Sequence, residues 1–205
     1  NADWKVLVAN GKTLNVYGAL NSSGRTITVG GEGFSGTLVL NNAANASMTA
    51  EWVITSGSTV RCMNNSALGS GLVTLDGGTL DFNSQTIGST ITLNMSGTGT
   101  LQNVTVDGAI LSYTSSSGND GITASNTTWT SGKIDIGRLL QGFSAEGSNT
   151  VDLGAELGEG FTVLGLERGQ YSIEGRVLMI KDVAISRVTW VSAGAGGALE
   201  ETVKN

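Results

Sequence analysis

A single alternation of polar and apolar positions recurs along this chain. GTLVL (Gly36–Leu40), STVRCM (Ser58–Met63), GTLDF (Gly78–Phe82) and GTLQN (Gly99–Asn103) align on Thr37, Thr59, Thr79 and Thr100, which follow one another at nearly equal intervals. KTLNV places Thr13 one such interval before Thr37, and GITAS (Gly121–Ser125) begins one interval after Gly99. A period of about 20 residues, carried by strand-like segments broken at glycine, predicts the coils of a β-solenoid. With side chains alternating between faces, Leu38, Val60, Leu80 and Leu101 fall on one side, joined two residues later by Leu40, Cys62 and Phe82. Val39, Arg61, Asp81 and Gln102 alternate with them and are expected to face solvent. A second strand family precedes the first in each coil: TITV (Thr26–Val29), WVI (Trp52–Ile54), LVTL (Leu72–Leu75) and TITL (Thr90–Leu93).

Two strands and a glycine turn per coil predict a parallel β-helix rather than a sandwich. In a sandwich, hairpins pair unlike neighbours; in a parallel coil like lies on like. Asn41, Asn64, Asn83 and Asn103 follow the repeated strand at a nearly constant offset, so their amides are expected to form a ladder from coil to coil. Each inward Leu, Val or Phe contributes about 1.5–3 kcal/mol on full burial, so several coils must stack to offset the entropy of ordering them.

Beyond Leu139 the pattern changes, with more charge, less Asn and longer apolar runs. The expected strands are FTVLGL (Phe161–Leu166), QYSIEG (Gln170–Gly175), RVLMIKD (Arg176–Asp182) and SRVTWV (Ser186–Val191), with a hairpin turn at EGR between Tyr171 and Leu178. Hairpins of this kind cover the last coil of a solenoid. The organisation read from the chain is parallel coils over residues 1–138, a cap or small β module over 139–193, and a flexible tail over 194–205.

The run WVITSGSTV (Trp52–Val60), ALGSGLVTLDGGTLDFNSQTI (Ala67–Ile87) and ITLNMSGTGTLQN (Ile91–Asn103), preceded by VLNN (Val39–Asn42), resembles the autotransporter-associated β-strand repeat, also called the passenger-associated transport repeat. The pattern of a Leu-Gly-x-Gly turn followed by Val-Thr-Leu-x-Gly-Gly-Thr-Leu is met nearly position for position, with Phe82 in place of the last aliphatic residue. The resemblance covers Gly36 to Gln102, about a third of the chain. It implies a right-handed parallel β-helix, all-β, in a large secreted or surface-attached bacterial protein such as an adhesin or stalk. It brings no catalytic residues.

Composition narrows the chemistry. The chain has 205 residues, 31 Gly, no Pro, no His and one Cys, and a formal charge of −6. An acidic chain without a Lys/Arg cluster lacks the basic face that nucleic acid requires. No apolar run is long enough to span a bilayer and no signal-peptide pattern stands at Asn1, so a soluble mature form or excised segment without membrane insertion is expected. Without His there is neither a Ser-His nucleophile nor a His-ligated metal. GGEGFS (Gly30–Ser35) comes nearest to a calcium-binding nonapeptide but lacks its Asp. Asp76, Asp81, Asp107 and Asp135 are the carboxylates that a polysaccharide-cleaving β-helix would pair, yet Asp beside Gly is ordinarily a turn residue. Cys62 aligns with Leu40 and Phe82, which places it in the core. Sequons occur at Asn45, Asn94 and Asn126, as chance supplies in a chain this rich in Asn, Ser and Thr.

Among Trp4, Trp52, Trp129 and Trp190, Trp52 is expected to pack. Trp129, flanked by small polar residues in TTWTSG (Thr127–Gly132), is the candidate exposed platform for a host or environmental glycan. The reading that follows is a non-enzymatic structural or adhesive segment, a rigid scaffold on the bacterial surface or outside the cell, with no cofactor. Its alternatives are an extracellular fibre subunit that associates end to end, because β-prone segments lie near both termini, and a β-helix that binds or degrades polysaccharide.

Overall fold

The computed structural model describes residues 3–41, 43–94, 98–112, 123–136 and 149–181. Among the described residues the fold is nearly all-β, with one short 3-10 turn, and its parallel coils stack into a β-solenoid of about 5 turns. The first coils alternate short strands in pairs: β1 (Trp4–Val6) and β2 (Thr13–Val16), β3 (Arg25–Val29) and β4 (Thr37–Leu40), β5 (Ala50–Thr55) and β6 (Thr59–Cys62), β7 (Gly71–Asp76) and β8 (Thr79–Ile87). After β9 (Ile91–Asn94) the strands lengthen to thirteen residues in β10 (Thr100–Ser112) and β11 (Thr123–Asp135). Odd-numbered strands from β1 to β9 form one parallel face and even-numbered strands from β2 to β8 another; β10 joins the two, pairing with β8 at its start and β9 at its end.

The register reproduces the repeat rung by rung. Thr13, Thr37, Thr59, Thr79, Thr100 and Thr123 are successive partners. Beside them run Leu14, Leu38, Val60, Leu80, Leu101 and Ala124. On the opposite face an unbroken row joins Trp4, Ile27, Trp52, Val73, Leu93, Leu111, Ile134 and Val163. From Ile27 to Val163 every member of that row is buried. Parallel pairing requires this arrangement: each inward side chain rests on its counterpart one coil below, so the apolar row is continuous and the polar row beside it stays outside.

From β8 onward a third pairing segment appears in each coil, which the two-strand reading does not contain. Gln85–Ile87 pair with Val104–Val106, which pair with Thr127–Trp129. The chain enters it through left-handed corners at Asn83, Ser84, Asn103 and Asn126, with φ between 48° and 63°. Asparagine tolerates that backbone better than most residues, and between β8 and β10 the register shifts across the corner, from Gln102–Asp81 to Val104–Gln85.

Beyond the coils, β12 (Asn149–Asp152), β14 (Tyr171–Glu174) and β15 (Val177–Ile180) form an antiparallel sheet in the order β12-β15-β14. β14 and β15 are the expected hairpin, closed by a two-residue loop with Gly175 at φ 60°. Val151, Leu153, Leu178 and Ile180 belong to the same buried cluster as Ile134 and Val163, so the sheet caps the last coil. β13 (Gly160–Val163), expected within the cap, is instead a parallel rung on β11, and the solenoid therefore continues past residue 138. The expected strand Ser186–Val191, Trp190 and the tail 194–205 lie outside the described residues.

Candidate functional site

Asp81 is the most connected polar group of the described solenoid. It stands in the row Val39, Arg61, Asp81, Gln102 that the alternation places outward, yet Asp81 and Val39 are both buried. Solvent exposure is thus corrected at these two positions. At Asp81 the side chains that bond it, Arg61 from the preceding coil and Asn103 from the next, enclose the carboxylate. The Arg61 Nε donates to Asp81 Oδ2 at 2.9 Å from the preceding coil. Oδ1 accepts from the Asn83 backbone N–H at 3.0 Å and from Asn103 Nδ2 at 3.0 Å in the next coil. Burial alone would raise the carboxyl's pKa; the hydrogen bonds from Asn103, Asn83, Arg61 and Gln102 outweigh it and hold the group below its ordinary value. The result is a satisfied anion that ties three coils together.

The same column carries the amide ladder, in broken form. Asn41 Nδ2 donates to Asn15 Oδ1 at 3.4 Å, and Asn126 Nδ2 to Asn103 Oδ1 at 2.8 Å. Between them, Asn64 accepts locally from the Ser66 N–H, and Asn83 contributes its backbone to Asp81. An aspartate has taken the acceptor's place in the middle coils. The sequon asparagines are engaged as well. Asn45, fully buried, accepts from the Leu20 N–H at 2.8 Å and donates to the Ala67 carbonyl at 2.8 Å, while Asn94 donates to Thr74 Oγ1 at 3.1 Å. Alternation does not reveal Asn45, which lies in a 3-10 turn at Ala43–Ser47 between strands.

Trp129, expected at the surface, is buried. Only 6% of it is exposed, and it continues the inward row Ile87, Val106, Trp129 of the third pairing segment. Its Nε1 donates to Thr127 Oγ1 at 2.8 Å. Its immediate neighbours Thr128 and Thr130 are exposed on the other side, which is what alternation dictates once that segment is recognised. Trp52 packs as expected, 1% exposed, with Nε1 donating to the Leu68 carbonyl at 3.0 Å. Cys62 is enclosed in the core, and burial, with the Asp81 charge nearby, pushes its thiol well above its ordinary pKa. It is an unreactive packing residue.

The carboxylates considered for catalysis are dispersed by role. Asp81 is locked in its hydrogen bonds. Exposed Asp107 accepts from Ser131 Oγ at 2.6 Å and Thr130 Oγ1 at 3.1 Å, which lower its pKa. Asp76 ends β7 and lines an open groove of about 380 Å³ where the turns between the two faces stack. Glu32, Phe34, Ser35 and Asn10 share that groove, with Asn10 Oδ1 accepting both the Ser35 N–H at 2.8 Å and its hydroxyl at 2.9 Å. Among the described residues no three His, Cys, Asp or Glu side chains come together as a metal site. The groove is a row of hydrogen-bonding groups with two acids, Glu32 and Asp76, on its rim.

No family model matches the chain. No curated protein and no solved structure matches it either.

Proposed function

We propose that this chain is a rigid β-solenoid scaffold, a non-enzymatic structural or adhesive segment of a secreted or surface-attached bacterial protein of the autotransporter-passenger type. The observation that carries the reading is the continuous apolar row from Trp4 to Val163, eight rungs without a gap and closed at its far end by the cap. At about 4.8 Å per rung such a row makes a stiff column roughly 34 Å long. Its ordered polar groups are spent on tying coils together, as at Asp81 and Asn45.

The fibre reading draws support from one feature, the exposed apolar side chains of the first described coil. Among the described strands, β1 pairs only with β3 and β2 only with β4, and Leu7, Leu14 and Tyr17 stay exposed there. Electron microscopy of negatively stained protein over a range of concentrations separates the two. Discrete short particles at every concentration support a scaffold segment; filaments with a uniform axial repeat replace it with the fibre. Incubation with acidic and neutral polysaccharides supplies the other test, since release of unsaturated or reducing sugar ends would overturn the non-enzymatic reading.

A further inference from the structure

The cap contains a strand edge built to pair with something else. Among the described strands, β14 stands at one end of its sheet and pairs only with β15. Across a two-residue hairpin the flanking residues, Glu174 and Val177, exchange both main-chain hydrogen bonds, and every second pair up the ladder does the same. Ser172 with Met179 is the next such pair, and Gln170 with Lys181 the one after, visible as the Lys181 N–H donating to the Gln170 carbonyl at 2.8 Å. Tyr171 and Ile173 occupy the alternate positions. Their N–H and C=O groups therefore point away from β15.

Tyr171, Ser172 and Ile173 line a cleft of about 400 Å³ between the cap and the last coil. Leu157 and Phe161 supply apolar wall from the coil side, with Glu159 between them in sequence; Arg168 stands on the cap side, just before β14. Neither Arg168 nor Glu159 belongs to the ion pairs Arg61–Asp81 and Arg176–Asp152 of the described residues. A strand edge offers donors and acceptors at every second residue, about 6.8 Å apart, and the ligand that matches this repeat is another extended backbone. The Arg168 guanidinium at one end adds a preference for a carboxylate.

We propose that the free edge of β14 is a strand-addition site for an extended peptide of about four residues, apolar at alternate positions and carrying one carboxylate that meets Arg168. Main-chain bonds to Tyr171 and Ile173 give the affinity, and Arg168 selects the charge. Glu159 across the cleft disfavours a polyanionic segment. This proposal is independent of whether the solenoid serves as a spacer or a fibre.

The test is titration of the ¹⁵N-labelled full chain with the peptide acetyl-Thr-Val-Asp-Val-Thr-Val-amide, following amide shifts and hydrogen exchange. The expected result is a saturable shift and slowed exchange at Tyr171 and Ile173. A peptide N-methylated at alternate residues should bind at least tenfold more weakly. Arg168→Gln, an exposed position outside the ion pairs of the described residues, should weaken the Asp peptide about two- to fivefold and leave its Asp→Asn analogue unchanged. The proposal is overturned if the Tyr171 and Ile173 amides do not respond, if the N-methylated peptide binds equally well, or if the same amides become protected by self-association without peptide.

Discussion

Asp81 shows how a single residue sets the acid limit of this fold. Its folded pKa is depressed, so its contribution is complete above the unfolded value near 4 and is lost as pH falls through the folded one. Wild-type protein should consequently lose more stability between pH 5 and pH 2.5 than Asp81→Asn, compared by urea midpoints; equal losses would mean the carboxylate is not the acid-sensitive group. At neutral pH, Asp81→Ala leaves the Asn103 amide and the Asn83 N–H without their acceptor and should cost about 1–3 kcal/mol. Where glycine stands at the foot of a repeat, at Gly36, Gly78 and Gly99, it is constrained by space. A Cβ on Gly99 would collide with the Leu75 side chain and lie 2.8 Å from the Gly78 carbonyl, so Gly99→Ala should destabilise by about 1–3 kcal/mol in the same assay. Trp129→Ala should cost about 3–5 kcal/mol, as a core truncation does; a change near zero would return Trp129 to the surface.

At the level of elements, the coils are legible in the sequence because one Thr per turn keeps time. Alternation around Thr37, Thr59 and Thr79 identifies the inward residues, and the register confirms each partner. Three things escape it. The segment Gln85–Ile87 begins after a left-handed corner that alternation cannot signal, and Trp129 is misplaced with it. β13 follows its rung partner after the longest interval in that row, Ile134 to Val163, too far for the period to reach. The burial of Asp81 arises from Arg61 and Asn103 meeting over it, a relation between coils rather than along one. The EGR hairpin is readable because a two-residue loop with Gly is a local instruction.

Across the whole molecule, the two ends differ. Val151, Leu178 and Ile180 cover the last described coil, whereas among the described strands the first coil pairs only with β3 and β4. A stack of nearest-neighbour contacts opens from its weakest end. Amide exchange should accordingly be fastest in β1 and β2 and slowest in β5 to β8; uniform protection would mean that the coils open as one unit. The threonine row has a further cost. Because Thr13, Thr37, Thr59, Thr79, Thr100 and Thr123 are interchangeable rungs, nothing in that row tells a folding strand which neighbour is its own, and a pairing displaced by one entire coil satisfies it equally well. The marks that are not repeated must do the counting: Asn45 between Leu20 and Ala67, and Arg61 beneath Asp81. Erasing both would leave a chain able to skip or double a turn, and the same indifference lets a gene of this kind gain or lose a coil without rewriting the rest.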